Sequence, residues 1–154
     1  MPETVHASAV LFGSRAVLIR GPSGAGKSQL ALSLITAATE LRRFARLIGD
    51  DRVQLQSAGG RLLVRPAATL AGLIEMRGAG ILRLDHEPCA VVGLIVDLDA
   101  ADAARLPEQR QAEVEGIKLP RLAVAAGVVA LPGVLALLTL PSAGLDHEPW
   151  FAFS

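Results

Sequence analysis

The chain has 154 residues, with fifteen Lys and Arg against fifteen Asp and Glu and a formal net charge of zero. That length holds one core, and the neutral balance excludes a protein kept on nucleic acid by a global positive field. Apolar residues at 51% and charged residues at 19% exclude a disordered chain. The single cysteine, Cys89, excludes an intramolecular disulfide framework and fits a reducing compartment.

In chain order, the opening MPETVHASAV has neither the basic n-region nor the apolar h-region of a signal peptide, so a cytoplasmic location is expected. Val10 to Phe12 and Ala16 to Ile19 flank Gly13-Ser14 and predict a hairpin. The run GPSGAGKS follows, from Gly21 to Ser28. Beyond it Leu30, Leu34, Ile35, Ala38 and Leu41 recur at helical offsets, which predicts a helix packed on a sheet. Arg42, Arg43 and Arg46 read as its solvated end, favoured by the helix dipole.

Leu47-Ile48 leads into Gly49-Asp50-Asp51. Val53 and Leu55 then alternate with Gln54 and Gln56, Gly59-Gly60 turns the chain, and Leu62 to Val64 returns, a second hairpin. Val91 to Val96 is a continuous apolar run suited to a strand buried on both faces. Ala100 to Gly116 is polar and Ala-rich, with Pro107 breaking any long helix. Leu122 to Leu140 carries no charge over 19 residues, close to the length that spans a bilayer. Gly127, the Pro132-Gly133 pair and the Val-rich first half predict instead a buried strand, a turn and a short core helix, with no membrane partner. Without repeats or linkers, residues 1–154 read as a single α/β domain.

Gly21-x4-Gly26-Lys27-Ser28 satisfies the G-x-x-x-x-G-K-[S/T] pattern between a strand and an amphipathic helix. Glycines let backbone N–H groups converge on phosphate oxygens, and the helix N-terminus adds partial positive charge. Gly21, Pro22, Ser23, Gly24, Ala25, Gly26, Lys27 and Ser28 are therefore the expected cradle of a nucleoside triphosphate. Lys27 serves as a mobile charge for the β- and γ-phosphates, and the Ser28 hydroxyl as a hard oxygen donor for Mg²⁺. The pattern leaves the fate of the γ-phosphate open. For the acid on the metal side, strand pattern alone favours Asp97, at the end of Gly93-Leu94-Ile95-Val96, while Asp50-Asp51 reads as a turn.

Three features together resemble one family: His6 ahead of the loop in VHAS, the segment LIGDD after the helix, and the octapeptide Ile74-Glu75-Met76-Arg77-Gly78-Ala79-Gly80-Ile81. The chain is similar to the C-terminal catalytic domain of bacterial HPr kinase/phosphorylase, in a short form without that family's N-terminal domain. The likeness extends over about residues 5 to 120. It implies a P-loop kinase domain of the phosphoenolpyruvate-carboxykinase-like type, a central mixed sheet with flanking helices. The implied activity is ATP-dependent phosphorylation of a serine on the phosphocarrier HPr or an HPr-like protein, with removal of the phosphate by phosphorolysis. It also implies a homo-oligomer, a hexamer. Position by position, the resemblance gives Ser28 and Glu75 as Mg²⁺ ligands and His6, Lys27 and Arg105 as active-site residues. It makes the Asp50-Asp51 pair the base, with Asp51 preferred.

The chemistry is coherent on its own terms. A serine hydroxyl is a poor nucleophile, and a carboxylate within hydrogen-bond reach takes its proton as the phosphoryl group arrives. On a bare reading, Glu75 and Arg77 form an exposed ion pair; the flanking Gly78 and Gly80 allow close approach of a ligand or another chain. Ile117-Lys118-Leu119-Pro120-Arg121 stands where the family carries its dephosphorylation segment, so kinase activity is expected more firmly than phosphorylase activity; a strand-edge role for Lys118 and Arg121 is equally open. The rival readings are a nucleotide-binding sensor that turns over little ATP, and a generic P-loop ATPase with Asp97 on the metal.

Overall fold

The computed structural model describes residues 2–103, 110–140, 144–145 and 148–149. Strands β1 (Glu3–Val5), β2 (Ala7–Phe12) and β3 (Arg15–Arg20) precede helix α1 (Lys27–Glu40). After it come β4 (Ala45–Gly49), β5 (Val53–Ala58) and β6 (Arg61–Pro66). A small hairpin, β7 (Leu73–Met76) and β8 (Gly80–Arg83), is followed by β9 (Ala90–Asp97). Strands β10 (Gln111–Val114) and β11 (Ile117–Ala123) then lead to helix α2 (Leu131–Thr139).

Both expected hairpins form, β2–β3 around Gly13-Ser14 and β5–β6 around Gly59-Gly60. Among the described residues the main sheet runs β1-β5-β6-β9-β3-β2-β4, with β11 and β10 continuing from β9. The apolar run expected as an interior strand is β9, and its neighbours explain why it is apolar on both faces. Along one edge β3 runs parallel to it; on the other, its first residues pair with β6 and its last with β11. Arg121 pairs with Ile95 of β9, so the edge role considered for it does not apply, whereas Lys118 pairs, among the described residues, only with Glu113 of β10.

Two apolar layers form on opposite faces of this sheet, since successive strand residues point to opposite sides. Val10, Phe12, Val17, Ile19, Leu94 and Val96 face a layer with Leu30 and Leu34 of α1 and Val134 and Leu138 of α2. On the other face Ala16, Leu18 and Ile95 meet Val53, Leu55, Leu62 and Val64, because the β5–β6 hairpin curls back over the sheet.

Two local expectations are corrected. Leu41 caps the end of α1 and is half exposed, so the buried face stops at Ala38, and Arg46, expected at the helix end, lies in β4. The Val-rich stretch is not a strand: β11 ends at Ala123, and Val128 and Val129 lie in the following loop, 59% and 76% exposed. Here the chain must leave the sheet layer for the helix layer, and Gly127, at φ +79°, supplies the turn. Pro132 opens α2 rather than interrupting it, where its missing N–H costs no helical hydrogen bond. Among the described residues no helix is long and apolar enough to cross a membrane.

Candidate active site

The loop between β3 and α1 adopts the geometry its sequence requires. Gly26 caps α1 at φ +98° with no side-chain cap, and no acid stands in the first turn. The first amides and the dipole of α1 therefore face outward as an anion-binding end. Gly21 passes against the turn that follows β9: a Cβ there would lie 3.0 Å from the Leu98 carbonyl oxygen, a contact that forces the backbone to give way. Lys27, 8% exposed, folds over the loop and donates to the carbonyl oxygens of Gly21 at 2.8 Å and Pro22 at 3.1 Å. Pro22, Ser23 and Gly24 form the exposed lip.

The adjacent acids at the end of β4 divide into two environments. Asp50 is 5% exposed and accepts from two hydroxyls. Ser28 Oγ reaches both its oxygens, at 2.7 and 2.9 Å, and Ser8 Oγ reaches Oδ1 at 2.7 Å. A hydroxyl has one proton to give, so Ser28 directs its proton to Asp50 and keeps oxygen lone pairs for a hard cation. Asp51 turns the other way. Its backbone sits at φ +64°, a region non-glycine residues occupy only when the surroundings hold them. The Ala7 N–H donates to the Asp51 carbonyl oxygen at 3.1 Å, and the Asp51 N–H donates to Ser8 Oγ at 3.3 Å. The Asp51 carboxylate is 64% exposed and lies 4.0 Å from Nδ1 of His6, itself 71% exposed.

The contacts of Asp97 argue against the strand-pattern preference for it on the metal side. Arg20 grips Asp97 bidentately at 2.7 and 2.8 Å, and Arg121 Nε adds a bond at 2.5 Å. Arg121 also bridges to Asp102 at 2.7 and 2.9 Å. Burial by itself would raise the Asp97 carboxyl, but the hydrogen bonds and charges of Arg20 and Arg121 together outweigh it and hold the group low. Asp102, and then Asp97, push the Arg121 guanidinium further up. Asp97 thus clasps the ends of β3, β9 and β11 directly beneath the loop, while Asp50 is the acid that meets Ser28.

Glu75 is exposed on β7, whose hairpin packs toward α1 through Ile74, 1% exposed. Arg105 lies outside the described residues. The residue that sequence reasoning passed over is Ser8. Its one signal was a lone hydroxyl in the otherwise apolar run Ala7–Phe12, which demands a buried partner.

A mixed sheet with a glycine-lined loop opening its first helix, and a carboxylate on the serine of that loop, defines a P-loop α/β domain. Residues 2–88 match the HPr Serine kinase C-terminal domain. The chain belongs to that family. It is 39% identical over 82 residues to the HPr kinase/phosphorylase of Clostridium beijerinckii, covering 53% of this chain and 25% of that protein. It is 31% identical over 134 residues to the HPr kinase/phosphorylase of Streptococcus thermophilus, covering 79% of this chain and 41% of the relative. The chain thus spans well under half the length of these curated relatives. In fold it matches the HPr(Ser) kinase/phosphatase from Coxiella burnetii, with a TM-score of 0.72 and 24% identity over 88% of this chain and 93% of that one.

Proposed function

We propose that this domain is an ATP-dependent protein serine kinase whose substrate is HPr or an HPr-like phosphocarrier. The observation that carries the reading is the division of labour between the neighbouring acids: Asp50 is buried on the loop serine, and Asp51 is exposed beside His6. The donor set suits a magnesium nucleotide. Gly21 to Ser28 would hold the phosphates, and Ser28, Asp50 and Glu75 offer the hard oxygens that Mg²⁺ prefers. When bound, the metal offsets phosphate charge and orients the transferred group.

This chain's own residues perform the remaining tasks. Lys27 is held over the loop by two carbonyl oxygens, weak partners that an anionic phosphate displaces. Asp51 is open to an incoming serine hydroxyl and can take its proton, with His6 near enough to orient or electrostatically support the carboxylate. Asp50 has donors on both oxygens and little exposure, which leaves little access for an incoming hydroxyl and makes it a good fixed anchor for Ser28. By microscopic reversibility, a protonated Asp51 can return its proton to the serine oxygen when inorganic phosphate attacks the phosphoserine. Membership of the family and the likeness to proteins named HPr kinase/phosphorylase support the choice of carrier.

The test is phosphoryl transfer from labelled ATP to purified HPr. Asp51→Asn is expected to lower transfer by about 10²- to 10⁴-fold, the usual worth of a general base, with magnesium-nucleotide binding retained. Asp50→Asn is expected to lose the magnesium dependence of binding itself. Tight ATP binding without transfer to any carrier would instead make the domain a nucleotide sensor.

A further inference from the structure

We propose that Ser8 is a positioning residue, the link that sets the metal-side acid and the base in register. The inference rests on the reading of the loop as a magnesium-nucleotide site and deepens it. Ser8 is fully buried in β2, on the side-chain face it shares with Val10 and Phe12. A hydroxyl in such a place destabilises the fold unless it is satisfied. Here it is satisfied entirely by the two acids. Its proton goes to Asp50 Oδ1 at 2.7 Å, and its oxygen accepts the Asp51 N–H at 3.3 Å.

Each bond has a separate consequence. The bond to Oδ1 restricts rotation of the Asp50 carboxylate, which also receives Ser28 Oγ on both oxygens. The preferred orientation of the metal-side pair is thereby selected before any ligand arrives, and less ordering remains to be done on binding. The bond from the Asp51 N–H fixes one side of a residue in the left-handed region, while the Ala7 N–H fixes the other. Ser8 acts only through these neighbours; with no exposure it touches neither nucleotide nor carrier.

The experiment uses the full chain and a shape-matched pair, Ser8→Val and Ser8→Thr, which differ by one hydroxyl. ATP binding is measured by calorimetry in EDTA and across a magnesium titration, with thermal unfolding in parallel. Ser8→Val is expected to raise the Mg²⁺ concentration for half-saturation about tenfold, the scale of one hydrogen bond to a charged group, without changing affinity in EDTA. Ser8→Thr recovers most of that loss. Ser8→Ala, which adds no bulk, carries the same expectation as Val and stands in if Val does not fold. An unchanged magnesium titration in Val and Ala overturns the inference, and so does an equal loss of affinity with and without magnesium, which marks a structural role alone. Absence of magnesium-dependent ATP binding in the unaltered chain overturns the loop reading itself, a result distinct from either.

Discussion

Asp97→Asn separates two physical roles for the acid at the end of β9. Asn keeps the shape but removes the charge, and its NH₂ group confronts a guanidinium where an oxygen stood. The structure shows two bonds from Arg20 and one from Arg121 to this carboxylate, with side-chain exposures of 14% for Asp97, 10% for Arg121 and 35% for Arg20. Hydrogen bonds to charged groups contribute about 1.5–3 kcal/mol each, and the remaining Asn oxygen can still accept one or two of them. A fully buried pair broken on one side costs about 3–5 kcal/mol, and the exposure of Arg20 places this site below that range. The expected loss is therefore about 2–4 kcal/mol, or about 5–15 °C in Tm for a domain of this size. Urea unfolding followed by circular dichroism measures it, and magnesium-dependent ATP binding is measured on the same protein below its unfolding transition. The structural reading expects a large loss of stability with the magnesium dependence intact. A stability change under about 1 kcal/mol together with loss of magnesium dependence would refute it and return Asp97 to the metal.

Asp97 also predicts an acid limb. Its folded carboxyl titrates below the unfolded one, so its stabilisation is present above the unfolded value and disappears as pH falls through the folded value. The urea midpoint of the unaltered chain is expected to fall more steeply than that of Asp97→Asn between about pH 5 and 3; parallel curves would count against the clasp. Ile74→Ala removes the buried anchor of the hairpin that carries Glu75, with an expected cost of about 2–5 kcal/mol by urea unfolding. Since the hairpin is held through that side chain, the same variant is expected to lose more transfer activity than the milder Ile74→Val; equal activities would mean that the position of Glu75 does not depend on it.

How legible each part was follows from how local its cause is. The hairpins at Gly13-Ser14 and Gly59-Gly60 were readable because a tight turn needs particular residues at adjacent positions. The end of α1 was misplaced, with Arg46 lying in β4 rather than at the helix end, because apolar periodicity does not mark where a helix stops. Val128 and Val129 were misread because an apolar run predicts burial only if a neighbouring element covers it, and none of the described elements does. The preference for Asp97 rested on equally local information. A strand-end acid looks alike in sequence whether it faces a metal or two arginines, and Arg20 and Arg121 lie 77 and 24 residues away.

The order of residues alone determined the phosphate-type loop, since eight contiguous positions dictate their own backbone path, and it determined the α/β class through the alternation of its apolar runs. Tertiary structure alone decided which acid meets the loop. Sheet order places β2 between β3 and β4, so that Ser8, Asp50 and Ser28, separated by 42 and 22 residues, converge on one carboxylate. Such convergence depends on strand neighbours and register, which arise from the packing of the whole core; the run Ala7–Phe12 shows that Ser8 needs a partner but not which one.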